Sequence, residues 1–293
     1  MKKFTLFIII ALISLSVFGV FTSCEKEEVD DNLVFFDDFD TLDTSVWNVY
    51  TKKTDVDEGW GPADGIRRGG YWYKGQVFTQ DGNLVIRTEK KADGKYYTGA
   101  IDTDNKFERH YGYYETRVYM PKGHGFWAAF WIFCNNMGAP STDAKISGTE
   151  IDVFETPYYR LSQNGDTDCY QYAIHIGDYA DNYYTRSFVT TLTNRNVDVQ
   201  IYDDWHVFAV DWQEDYYRFY YDDILMKELT LQGNISNVDS FLFLSVEIGG
   251  NNAIPDETPF LLGRTPITKN EDNLLPQDFL VDYVKVYKTK PQK

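Results

Sequence analysis

A chain of 293 residues, 43% of them hydrophobic, can bury one large core, and an all-β domain of this length needs no second domain beside it. A formal net charge of −17 makes nucleic acid and anionic membrane poor partners, and it disfavours strongly sulfated ligands. Aromatic residues reach 17%, an excess that suits sheet surfaces and a ring-lined groove for neutral ligands.

The N-terminus reads as an export signal over residues 1–23. Lys2 and Lys3 precede an apolar run from Phe4 to Phe21, followed by Thr22, Ser23 and the lone Cys24. This order resembles a bacterial lipoprotein signal, cut before Cys24, which then carries the lipid. The apolar run is also long enough for an uncleaved anchor. Residues 24–32, with Glu25, Glu27, Glu28, Asp30 and Asp31, form an acidic tether that resembles the surface-export signal of Bacteroidetes-type lipoproteins. The expected location is the outer membrane, lipid-anchored and facing outward, with no other membrane contact.

From Leu33 the pattern is short strands separated by turns. Phe35 to Asp40, followed by Trp47, opens the series. The segment from Asp55 to Tyr73 is rich in Gly, Trp and Tyr without periodicity, so it reads as a loop. It offers Trp60, Trp72 and Tyr73 for stacking, with Arg67 and Arg68 as donors. Asp81-Gly82-Asn83 is a turn before the strand Leu84–Thr88. Tyr97–Ala100 and Tyr111–Met120 are further strands. In Gly125–Trp131, period two puts Trp127, Ala129 and Trp131 on one face.

The stretch Gly148–Thr156 holds three carboxylates spaced by Ile151, Val153 and Phe154. The spacers are strand formers, and alternation gives Glu150 and Asp152 a common face with Ile151 in the core. Glu155 has the wrong parity for that face. One β-bulge near Val153 or Phe154 absorbs the extra residue and brings Glu155 back. Like charges this close cannot all ionise freely, so at least one pKa rises. A glycosidase needs such a set, one ionised carboxylate beside one protonated acid. Carboxyls about 5–5.5 Å apart retain configuration and carboxyls roughly 6.5–9.5 Å apart invert it. Three acids on one short strand favour the closer geometry. A solvated acidic strand or a calcium loop is the competing reading.

Residues 156–168 read as an insertion, with Tyr158 to Arg160 hanging over one end of a groove. In Tyr170–His175, alternation puts Gln171, Ala173 and His175 on one face and Tyr170, Tyr172 and Ile174 on the other. His175 lines the site or is structural; its position allows both. Tyr179–Tyr184 is another aromatic loop. Asp204–Trp212 and Tyr216–Asp223 form a hairpin in which His206 is structural. Phe241–Gly250 is a strand carrying Glu247, either facing the cleft or salt-bridged. Phe279–Tyr287 closes the chain. Cys134 and Cys169 could pair in an oxidising compartment or stay free. No zinc spacing, phosphate loop, Ser-His-Asp order or repeat is present.

The acid stretch resembles the active-site strand of glycoside hydrolase family 16 in its bulged form. The matches to Gly125–Trp131, Asp204–Trp212 and Phe279–Tyr287 follow in the family's order. The resemblance implies a catalytic domain over residues 33–289, folded as an all-β jelly-roll sandwich of two curved antiparallel sheets with an open concave groove. It makes Glu150 the nucleophile, Asp152 its helper and Glu155 the acid/base, with Trp127 and Trp131 near the cleaved bond. His175 stands where the family often has a histidine. Gln76 replaces a sugar-contacting Asn, Ala128 a usual Pro, and Glu247 is an added acid. Tyr73, Trp72, Arg68 and Tyr158 complete the expected substrate contacts. Relatives also imply a structural calcium held by Asp282 with backbone carbonyls near Asp37 and Gly82, and no cofactor for catalysis. The expected activity is endo-cleavage of internal β-1,3 or β-1,4 linkages by a monomer, with β-glucan favoured. The alternatives are an endo-β-galactosidase acting on host O-glycans, keratan or algal galactans, and a non-catalytic glycan-binding surface protein.

Overall fold

The computed structural model describes residues 30–50, 66–67, 69–123, 125–157, 169–191, 201–249 and 275–292. The chain divides into two units, Met1–Asp31 and Asn32–Lys293, and every element below belongs to the second. Among the described residues its strands form one sheet of eleven and one of eight. Helix is limited there to Ala144–Ser147 and the short 3-10 turns Lys74–Gln76 and Leu231–Gly233. The fold is the all-β jelly roll that the family resemblance implied.

The eight-stranded sheet carries the acids. Its path runs from the edge strand Tyr183–Thr191 to the histidine strand Cys169–Gly177, the acid strand Glu150–Glu155 and the tryptophan strand Phe126–Phe133. It continues through Ser240–Ile248 and Ala100–Asp102 to Asn48–Val49. Every pairing in this path is antiparallel. In the other sheet the closing strand Gln277–Tyr287 lies between Gly112–Tyr119 and Asn83–Lys90, and the opening strand Leu33–Asp37 also pairs with it. Tyr71–Trp72 pairs parallel with Tyr97–Thr98, a departure from the wholly antiparallel sheets expected.

Alternation separates the two faces of the acid-bearing sheet. Ile151, Val153, Phe154, Ala128, Phe130, Ile132, Leu242, Leu244, Val246 and Ile174 point inward. They pack against Leu84, Ile86, Phe208, Val210, Val281 and Val284 of the other sheet. Phe154 meets Phe208 across the gap with ring centroids 4.5 Å apart. Each such side chain contributes about 1.5–3 kcal/mol through burial, which fixes the sheet's inner face and so forces the acids outward.

The segment Tyr97–Ala100 is not one strand. Thr98 ends a strand of one sheet and Ala100 begins a strand of the other. Gly99 makes the crossing, where a Cβ would lie 2.4 Å from Val77 Cγ2. The expected loop up to Tyr73 is also corrected at its end, since Gly70–Trp72 is a buried strand. Cys134 and Cys169 are both buried and form no disulfide with each other.

Candidate active site

The acid strand contains the bulge its parity required. Asp152 and Glu155 are three residues apart, yet they face Trp131 and Ala129, two apart on the tryptophan strand. On the other side they face Ala173 and Gln171, also two apart. The extra residue falls within Val153–Phe154, both of which stay in the core. Glu150, Asp152 and Glu155 therefore line up on the outer face with Asp152 in the middle.

The neighbouring strands supply their partners. Trp127 Nε1 donates to Glu155 Oε1 at 2.9 Å, and Gln171 Nε2 donates to Glu155 Oε2 at 2.6 Å. His175, directly opposite Glu150, puts Nε2 3.0 Å from Asp152 Oδ2 and 4.0 Å from Glu150 Oε1. Tyr183 hydrogen-bonds His175 Nδ1 through its hydroxyl, and Tyr179 donates its hydroxyl to Glu150 Oε2.

Burial raises the pKa of all three acids, and a neighbouring carboxylate adds to each rise. Glu150 is pushed up to about 8 by burial and the Asp152 charge, against the pull of His175 and the Tyr179 hydroxyl. Asp152 rises through burial and the charge of Glu247, and a hydrogen bond with Glu155 opposes this. Glu155 is pushed up to about 8 by burial and Asp152, with His175 and the Trp127 donor opposing. Burial and like charge together therefore keep the three from all being ionised at neutral pH. Acid-assisted displacement needs such a set, with one carboxyl protonated beside one ionised.

Of the other expected site residues, Trp127, Trp131, His175 and Glu247 come to this face. Trp131 stands opposite Asp152, stacked on Phe243 at 4.1 Å, with Nε1 donating to Ser245 Oγ at 3.1 Å. Glu247 is buried opposite Trp127, and its charge acts on Asp152 and Glu155. The open choice at His175 thus resolves toward the site. His206 is buried against Asp222, as its structural reading required.

Two expected contacts are overturned. Gln76 is 2% exposed and spends its amide on Arg87 O at 3.1 Å, so it faces backbone rather than ligand. Trp72 is 1% exposed, donates Nε1 to Val246 O and packs against Tyr50 and Phe243, so no sugar can stack on it. Tyr73 belongs to a separate cluster with Tyr71 and Tyr97, under Lys91 Nζ at 4.8 Å. Arg68, Tyr158 and Cys24 lie outside the described residues.

The calcium expectation does not fit the side chains. Asp282 Oδ2 accepts from Arg117 Nη1 at 2.7 Å, and a guanidinium there opposes a divalent cation. Asp37 spends Oδ1 on Phe39 N and Oδ2 on Trp47 Nε1. Among the described residues one group of three has metal-ligand spacing, Glu150, Asp152 and His175, whose atoms lie within 4.8 Å of one another. Its members already pair with one another and with Tyr179 and Tyr183, so the set is satisfied as a proton-handling cluster.

Gln171, Tyr179, Tyr183 and Ser245 had not been expected as contacts. Alternation had already placed Gln171 on the face of His175, and that signal was sufficient to find it. Tyr179 reaches the acids from a turn, where no periodicity reports direction.

The model of glycosyl hydrolases family 16 matches residues 69–253, more than half of the chain. A glucan endo-1,3-beta-glucosidase A1 from Niallia circulans is 28% identical over 286 residues, 88% of this chain and 38% of that protein. This chain thus spans well under half of that relative's length. A glucan endo-1,3-beta-glucosidase from Cryptopygus antarcticus is 29% identical over 227 residues, 70% of this chain and 74% of that one. Among solved structures, the laminarinase catalytic domain from Thermotoga maritima superposes with a TM-score of 0.64 at 25% identity, over 88% of this chain and 98% of that one.

Proposed function

The chain belongs to glycosyl hydrolases family 16, and from that premise we propose an endo-acting, retaining β-glycosidase that cuts internal β-1,3 or β-1,4 linkages of a neutral β-glucan. One observation carries this reading: the bulged acid strand, with Glu150, Asp152 and Glu155 in a row on one outward face. Glu150 attacks the anomeric carbon as the leaving oxygen takes a proton from Glu155, giving a covalent glycosyl-enzyme. Glu155, now ionised, takes a proton from water, which displaces Glu150 and restores the starting configuration. Asp152 lies between the two, hydrogen-bonded to Glu155 and with an oxygen within 4.8 Å of one on Glu150. Three acids in a row on one short strand support retention, since inversion needs room for a water between the acids.

The substrate class rests on the charge and on the relatives. A net charge of −17 favours a neutral chain over a sulfated one. The Niallia and Cryptopygus relatives are endo-1,3-β-glucosidases by name, and the Thermotoga neighbour is a laminarinase.

The test is product analysis on laminarin, mixed-linkage glucan, agarose, keratan and mucin O-glycans, with anomeric configuration followed by NMR. Short β-configured oligosaccharides from a glucan support the reading. Products from keratan or mucin alone replace it with an endo-β-galactosidase, and binding without any product replaces it with a glycan-binding protein. Glu150→Gln should bind and not turn over. The same proposal includes a lipid on Cys24, for which Cys24→Ala should move the protein from the membrane fraction to the soluble one.

A further inference from the structure

The turn between the histidine strand and the edge strand is built around one aspartate. Asp178 Oδ1 accepts from Ala180 N and Asn182 N, both at 2.9 Å, and Oδ2 accepts from Asn182 Nδ2 at 3.0 Å. Asp178 N donates back to Asn182 O at 3.1 Å, and Gly138 N donates to Gly177 O at 3.0 Å, which ties the turn to a second loop. Inside this clasp Tyr179 has φ 59, a left-handed backbone that glycine or asparagine adopts readily and a bulky aromatic does not. Core burial does not account for a tyrosine here, since the residue is 44% exposed. Strain of this kind persists where the surroundings over-determine it, and it gathers at working sites.

The strained residue points at the acids. Its hydroxyl donates to Glu150 Oε2, and its ring packs on Tyr183 at 5.4 Å and His175 at 6.4 Å. Tyr183 lies flat on His175, 5.7 Å away with 5° between planes, and bonds His175 Nδ1. His175 Nε2 faces Asp152 and Nδ1 meets the Tyr183 hydroxyl, so both ring nitrogens have partners.

We propose that Tyr179 is a positioning residue: held by the Asp178 clasp, it pins Glu150 Oε2 and leaves Oε1 as the oxygen that attacks. The inference rests on the reading of Glu150 as nucleophile. A glutamate free about its last torsion presents either oxygen or neither, and rate depends on holding the reacting atom in line. Tyr179 removes that freedom with one donor. The same donor favours the ionised carboxylate over the protonated one.

The experiment compares wild type with Tyr179→Phe, Tyr179→Asn and Glu150→Gln on whichever glycan the wild type cleaves. Tyr179→Phe keeps ring and backbone and loses only the hydroxyl. Its kcat should fall by about tenfold to a hundredfold, the scale on which partners behind a reacting group act, with KM and melting temperature unchanged. The acid limb of its kcat/KM profile should move to higher pH. The groups facing Glu150 there are Asp152, Glu155, His175 and Tyr183, all intact in that variant. Tyr179→Asn should lose kcat alike and melt higher, because asparagine tolerates the left-handed backbone. If Tyr179→Phe keeps wild-type kcat and pH profile while Glu150→Gln is dead, this inference is wrong and the nucleophile stands. If Glu150→Gln remains active, both fall. Loss of rate in Tyr179→Phe that only tracks a lowered melting temperature also overturns positioning in favour of a structural role.

Discussion

Trp127 and Glu247 stand directly opposite each other on neighbouring strands and act on the same carboxyl with opposite sign. The indole N–H donates to Glu155 and lowers its pKa, while the Glu247 charge raises it. Burial, the larger cause, had already raised it, so the pair trims a value set by desolvation.

Trp127→Phe removes the donor and keeps the ring. Glu155 then binds its proton more tightly, so the alkaline limb of kcat/KM moves to higher pH. Turnover falls because the acid gives up its proton less readily, by roughly tenfold as for a partner behind a reacting group. A pH–rate profile checks both; an alkaline limb that stays put or moves down contradicts the assignment of Glu155 as the acid.

Glu247→Gln moves the same limb the other way. Removing a nearby negative charge lowers the pKa of Glu155 and Asp152. Less of the acid is protonated at neutral pH, so kcat/KM there drops by roughly twofold to fivefold while the rate at lower pH is kept. Profiles of the two variants on one plot should diverge on either side of wild type.

Glu150→Gln should stabilise the fold while ending turnover. Glu150 carries a pKa raised to about 8, so the folded state holds a proton that the unfolded chain releases near its ordinary value. Stability therefore falls as pH rises from the unfolded pKa toward the folded one, and the cost is complete above both. The amide has no such cost. The variant should be more stable by on the order of 1–3 kcal/mol at pH 8, with the difference closing near pH 4. Urea unfolding at the two pH values measures it, and equal stability at pH 8 would remove the claim that burial strains this acid.

Gly148→Ala should destabilise from a position without charge. Gly148 precedes the acid strand with φ 72, and a Cβ there would lie 2.0 Å from Cys134 Sγ. Left-handed strain and overpacking together cost about 2–4 kcal/mol. Pairing it with Cys134→Gly removes the clash and leaves the strain, so the double variant should regain roughly half of the loss. No recovery in thermal melts would show that backbone conformation alone decides.

The acid strand was legible because two periods were in conflict. Alternation from Glu150 to Asp152 failed at Glu155, and a failed parity inside a strand has one cheap remedy, the bulge found within Val153–Phe154. Trp127, Trp131 and Gln171 were legible for the same reason, since a strand residue's face follows from its neighbours'. Gln76 was misread because the family's Asn placed it, while its own amide reaches Arg87 O, and Trp72 because it lies where an aperiodic stretch enters the sheet. Glycine-rich sequence there suggests a loop, yet Trp72 fills the space beside Tyr50 and Phe243. Asp282 was misread because its sequence neighbours do not reveal Arg117, which reaches it from the adjoining strand. Tyr179 was hidden by its backbone: a left-handed turn residue points where no sequence period can say.

The acid strand has a hydrogen-bonded neighbour on each side, two strands in from one edge of its sheet. The Asp178 turn joins two strands of that sheet and is held by one carboxylate's bonds, a few backbone contacts and the Tyr179 side chain. Amide protons of the strand should therefore exchange on the timescale of global unfolding, and those of the turn far sooner. On warming, the turn lets go while the groove floor is still whole. Activity then declines reversibly below the melting point, so the working temperature range is set by one short turn and the survival temperature by the sheets.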